Sequence, residues 1–148
     1  MSPDAFTDIS IHIERSFDSP RDSVFRAWTE RDQLVQWYGP DGYTVPKCDM
    51  DVRVDGGYRI CMMEPDGTEH WVVGKYLEIE PPERLAFTWA WEIDGVAGPE
   101  TEVRIDFVEE GDGTKLVVTH SGFESEESSI GHNQGWISSF DCLQQHLA

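Results

Sequence analysis

The chain has 148 residues, with 29 acidic against 11 basic side chains and a formal net charge of −18. Such a field repels phosphate backbones and anionic lipid surfaces, which excludes nucleic acid and the membrane surface as expected partners. Hydrophobic residues make up 39% and six are tryptophan, enough for one domain over residues 1–148 with its own core.

Cys48, Cys61 and Cys142 are far apart and form no CxxC or His/Cys metal spacing. They read as buried thiols in a reducing compartment. Residues 1–7 carry no basic segment followed by an apolar run, so no secretory signal is expected. No stretch approaches the ~20 apolar residues of a membrane span. A cytoplasmic protein without metal or cofactor is expected.

In chain order, Ile9, Ile11 and Ile13 alternate with polar residues and Phe17 continues the inward set, a half-buried strand. Ser19-Pro20 predicts a helix with serine as cap and proline at the first helical position. Val24, Phe25 and Trp28 form its apolar side. Thr29 caps a second short helix carrying Leu34, Val35 and Trp37, and Gly39-Pro40 ends it. Successive antiparallel strands follow. Residues 43–49 form a short one. Gly56-Gly57 bends into the next, with Tyr58, Ile60 and Met62 on one face. After the Pro65-Asp66-Gly67 turn, Trp71, Val73, Leu77 and Ile79 alternate along a long strand. Leu85, Phe87, Trp89 and Trp91 share one face of the next strand. A loop over residues 94–99 leads to Val103, Ile105 and Phe107. A Gly-rich hairpin turn leads to Leu116, Val118 and His120.

The last stretch, residues 125–148, reads as one long amphipathic helix. Trp136, Phe140, Leu143 and Leu147 fall on one stripe at 100° per residue, widened by Ile130 and Ile137. Ser125 is its N-cap, and Glu126 and Glu127 suit the positive end of the helix dipole. Gly131, Gly135, Ser138 and Cys142 form a second stripe of small residues; its two glycines suggest that backbone or a ligand comes close there, with tight packing of helix on sheet the favoured reason. Strands followed by a covering helix define an α+β fold.

Few residues here promise chemistry. No GxSxG turn, paired Cys–base motif or glycine-rich phosphate loop occurs. Of five histidines, only His120 and His132 point inward, by strand alternation and helical angle. A histidine pair in an apolar pocket can serve as general acid and base. Trp37, Tyr58, Trp89 and Trp136 come from four separate elements, each on an inward position, where they suit either a core or a small-molecule pocket.

The runs Val24-Phe25-Arg26-Ala27-Trp28-Thr29 and Leu34…Trp37-Tyr38-Gly39-Pro40 resemble the signature of the activator of heat-shock-protein-90 ATPase homologue family. The resemblance continues through Gly56-Gly57-Tyr58-Arg59, Gly74-Lys75-Tyr76-Leu77, Pro81-Pro82-Glu83-Arg84-Leu85, His120-Ser121-Gly122-Phe123 and Gly135-Trp136. It implies the helix-grip fold of the START-like (SRPBCC) superfamily: a curved antiparallel sheet of six to seven strands around a long C-terminal helix, with two short helices after strand one. Members enclose an apolar cavity between sheet and helix and bind hydrophobic molecules; some are cyclases. Tyr38 departs from the family's usual second tryptophan and puts a hydroxyl near the cavity mouth. The eukaryotic co-chaperone has an additional N-terminal domain that holds its client, for which this chain has no room.

The resemblance thus leads to a non-enzymatic binder of a small hydrophobic or aromatic molecule. Its cavity is expected to be lined by Trp37, Tyr38, Tyr58, Trp89, His120, His132, Trp136 and Phe140. Two alternatives are a chaperone partner that stimulates a heat-shock ATPase, and a cyclase or hydrolase using His120 and His132. Members of this fold also commonly pair as homodimers, with no interface legible here.

Overall fold

A computed structural model describes residues 9–123 and 125–147, apart from the Glu126 side chain. The readings made on residues 1–7 and on the Glu126 carboxylate lie outside that set. The elements are β1 (Ser10–Phe17), α1 (Arg21–Thr29), α2 (Arg31–Trp37), β2 (Thr44–Met50), β3 (Gly57–Met63), β4 (Glu69–Glu80), β5 (Arg84–Ile93), β6 (Val96–Ala97), β7 (Thr101–Glu110), β8 (Gly113–Ser121) and α3 (Glu126–Leu147). The sheet runs β1-β8-β7-β5-β4-β3-β2, with β6 added beside β5, and every pairing is antiparallel. This is the expected α+β helix-grip arrangement. No described helix is long and apolar enough to cross a membrane.

The concave face is apolar because alternate residues of each strand turn to it. Ile13, Phe17, Ile60, Leu85, Phe87, Val103, Ile105, Phe107, Leu116 and Val118 are buried there. The helices α1 and α2 close one end. Trp28 of α1 lies edge-on to Trp37 of α2, ring centroids 4.8 Å apart. The Trp37 indole N–H donates to the Ala27 carbonyl at 2.9 Å and ties the two helices together.

The long helix covers the rest unevenly. Its second half is anchored: Phe140 and Leu143 are fully buried, and Arg15 of β1 pairs with Asp141 at 2.7 Å. Ser138 Oγ accepts the Asp41 N–H at 2.8 Å. The first half borders open space at Gly131 and Gly135. A Cβ built on either glycine meets nothing within 4 Å. Tight packing is therefore not why these residues are small; they border open space.

Local expectations change in five places. Pro20, not Ser19, is the N-cap of α1, and the Ser19 hydroxyl instead donates to the Leu147 carbonyl at 3.4 Å. Glu30, not Thr29, caps α2; the Thr29 hydroxyl bonds back to the Phe25 carbonyl at 3.0 Å, a common habit of threonine inside helices. Ile130 and Ile137 are exposed, because they sit roughly 100–120° round the helix from Trp136. Residues 96–97 of the expected loop pair with β5.

The largest change is on β4. Val72 and Tyr76 are buried, whereas Trp71 and Val73 turn outward. Register decides this. Val72 lies opposite Ile60 and Gly74 opposite Tyr58, and directly opposed residues share a face. A bulge between Tyr76 and Glu78 then shifts the alternation so that Ile79 packs against the core. Trp71, left outside, carries the Arg59 guanidinium 3.8 Å from its ring centroid.

Candidate functional site

Between the raised first half of α3 and the sheet lies a pocket of about 600 Å³. Trp89 and Trp91 of β5 form one wall, with Met62 of β3 and His70 of β4. The loop after α2 supplies Tyr38, Gly39, Pro40 and Tyr43. The helix supplies Gly131, His132, Gly135, Trp136 and Ser139, and its first turn adds Ser125, Glu127 and Ser128. Gly39 allows the loop to pass close to the sheet. Its φ is +99°, a conformation that side chains resist, and a Cβ there would lie 3.3 Å from Met62 Sδ.

Of the eight residues expected to line a cavity, Tyr38, Trp89, His132 and Trp136 border this pocket. The other four do not. Trp37 is buried in the α1–α2 contact. Phe140 is fully buried and stacked on Trp136 one turn further along the helix. Tyr58 points deeper, and its hydroxyl donates to the Thr88 carbonyl at 2.5 Å. His120 lies behind the pocket wall, fully buried.

His120 is held at both nitrogens. The Trp136 indole N–H donates to Nδ1 at 3.0 Å, so the ring proton is on Nε2. That proton is given to Thr101 Oγ1 at 2.6 Å, and the Thr101 hydroxyl in turn donates to the Trp89 carbonyl at 2.7 Å. The chain of bonds ties α3, β8, β7 and β5 together behind the pocket. Burial, reinforced by neighbouring His132, pushes the His120 pKa down to about 3. A neutral imidazole with both nitrogens engaged is a structural link, not a base facing a ligand.

His132 has a related constraint. Its Nδ1–H donates to the Ser128 carbonyl at 2.8 Å, one turn back on the same helix. Its Nε2 is buried with no hydrogen-bond partner among the described residues. The ring packs among Trp89, Phe123 and His120, with centroids 4.7, 4.8 and 5.4 Å away. Burial lowers its pKa, and the bond to Ser128 partly offsets this. The two histidines touch, but they present no donor–acceptor pair to the pocket.

Three of the lining residues with aromatic rings escaped the sequence reading as site residues. Trp91 was visible as an extension of the Leu85–Phe87–Trp89 alternation. Tyr43 and His70 were not, because both sit beside turns, where alternation carries no inward signal. His70 Nε2 contacts Glu64 Oε2 at 2.6 Å, which orients its ring between Tyr43 and Trp91. Burial raises the Tyr43 pKa, and the charges of Glu64 and Asp66 raise it further. Burial likewise raises that of Tyr38, partly offset by a hydrogen bond from the Trp89 side chain. Among the described residues, no three His, Cys, Asp or Glu side chains come together to hold a metal.

A curved sheet gripping a C-terminal helix, with an aromatic pocket between them, defines a protein of the helix-grip class. The model of the family "Activator of Hsp90 ATPase homolog 1-like protein" matches residues 18–148, and the chain belongs to that family. It is similar to the crystal structure of an AHSA1 protein from Silicibacter pomeroyi, at 29% identity and TM-score 0.87, covering 94% of this chain and 97% of that one. A protein of Chromobacterium violaceum superposes at TM-score 0.83 with 25% identity, covering 93% and 96%. CalU16 from Micromonospora echinospora is 29% identical at TM-score 0.68, covering 94% of this chain and 76% of that one. No curated protein matches the chain.

Proposed function

We propose that the chain binds a small apolar or aromatic molecule in the pocket between β5 and the first half of α3. The observation that carries this reading is the pairing of aromatic walls with backbone-only helix positions. Trp89, Trp91, Trp136, Tyr38 and Tyr43 border the same space as Gly131 and Gly135. The volume of about 600 Å³ falls in the usual range for small-molecule sites. The two glycines each weaken the helix by about 1 kcal/mol relative to alanine, yet no neighbouring atom requires them. Room for a ligand accounts for both.

The six indole N–H groups make the test direct. A two-dimensional amide NMR titration with a set of aromatic and aliphatic compounds should move the Trp89, Trp91 and Trp136 indole signals and leave that of Trp71 in place. Saturation without any of these three moving would remove the assignment to this pocket.

Family membership supports a second reading, a partner of a heat-shock ATPase. The acidic surface would meet a basic patch on that partner. ATP turnover of a bacterial heat-shock ATPase, measured with saturating protein, should then rise; unchanged turnover rejects it. An enzymatic role for His120 and His132 finds less support, since His120 is engaged at both nitrogens and neither offers a free proton donor to the pocket.

A further inference from the structure

We infer that the pocket selects an organic cation: an ammonium-type group carried on an apolar or aromatic body. This rests on the reading of the pocket as a ligand site and adds the charge of the ligand.

The walls carry five aromatic rings, those of Trp89, Trp91, Trp136, Tyr38 and Tyr43. Aromatic faces carry negative quadrupole charge and attract cations, most strongly when tryptophan supplies them and water is excluded. Trp89 and Trp91 stand edge to face, centroids 4.6 Å apart, so their rings wall the pocket at two different angles. The formal charges at the pocket point the same way. No Lys or Arg is among the described residues that line it, and a carboxylate or phosphate would meet no fixed cation.

Glu127 stands on the rim. Glu64 backs His70, and its charge, with that of Asp66, is felt at Tyr43. The opposing contribution is the positive end of α3, whose first turn also borders the pocket. Within that turn Ser125 Oγ already accepts the Ser128 N–H at 3.1 Å, and Glu127 supplies a full negative charge. Arg59 belongs to the adjoining outer groove and is engaged by Glu92 at 2.6 and 3.0 Å. Beyond the pocket, the net charge of −18 draws cations toward the molecule and turns anions away.

Three probes of one shape separate charge from shape: 2-(4-hydroxyphenyl)ethyl-trimethylammonium, its neutral carbon analogue 4-(3,3-dimethylbutyl)phenol, and 2-(4-hydroxyphenyl)ethanesulfonate. Each is titrated into the full chain and followed by the indole N–H signals. The ammonium should bind roughly tenfold more tightly than the neutral analogue at low salt, and the sulfonate weakest of all. Glu127→Gln should weaken the ammonium several-fold and leave the neutral probe unchanged. Equal or tighter binding of the neutral probe or the sulfonate overturns the charge selection and leaves the pocket reading standing. Silence from all three removes both.

Discussion

The indole N–H of Trp136 on the long helix donates to Nδ1 of His120 on β8, at 3.0 Å and out of contact with water. This single bond sets the tautomer of the histidine and the direction of every bond behind the pocket. It also holds the pocket's helical wall to the sheet at the point where α3 passes from its raised half to its anchored half.

Replacing Trp136 by phenylalanine keeps a ring against Phe140 but leaves His120 Nδ1 buried without a donor. An unsatisfied buried acceptor costs about 1–3 kcal/mol. Urea unfolding should show a loss of that size, and the variant should remain cooperative. A stability equal to wild type would mean that the bond contributes nothing net.

The neutral state of His120 has a consequence for pH. Its pKa is pushed down to about 3 in the folded chain, whereas an exposed histidine titrates near 6.5. Between those values the unfolded chain holds the extra proton, so unfolding takes up protons and stability falls as pH falls. His132 shifts in the same direction. Stability should be level above about pH 7 and decline from about pH 6.5 downward, before most carboxylates begin to titrate. His120→Leu should be less stable at pH 7, because Trp136 and Thr101 lose their partner, but should show a shallower decline between pH 6.5 and 5. An equally steep decline in that variant would assign the proton uptake elsewhere.

Gly135 borders the pocket with open space beyond its Cα. Gly135→Leu should therefore fold, gain up to about 1 kcal/mol from better helix propensity, and fill the ligand space. Thermal unfolding should show an unchanged or raised midpoint, while the indole shifts produced by any pocket ligand disappear. Retained binding would place the ligand elsewhere.

Gly74 behaves in the opposite way. A Cβ there would lie 2.0 Å from the Thr88 carbonyl and 2.7 Å from the Tyr58 ring. Backbone cannot yield cheaply to such overlap, so Gly74→Ala should destabilise by about 1–3 kcal/mol. Tyr58 should also lose its bond to Thr88. Denaturation midpoints measure the first effect and the Tyr58 ring signals the second; a neutral outcome would show that β4 can shift away from β5.

Alternation and spacing determined much by themselves. The succession of strands and helices along the chain, the two short helices, the apolar stripe through Trp136, Phe140 and Leu143, and the family membership were all legible in the sequence. Those features repeat with a fixed period or form a motif, and neither depends on distant contacts. The inward face of β4 was not legible. Trp71, Val72 and Val73 are consecutive and apolar, so the period is visible but its phase is not; pairing with Ile60 and Tyr58 of β3 decides it. Helical angle likewise placed Trp136 and His132 on the sheet side of α3, but angle says nothing about distance. How far the helix stands off depends on the curvature of the sheet and on the anchors at Asp141 and Ser138. That distance separates Trp136, at the pocket wall, from Phe140, one turn further and fully buried. Tertiary structure alone turned His120 from a candidate base into a link between helix and sheet, because its partners, Trp136 and Thr101, are 16 and 19 residues away in the chain.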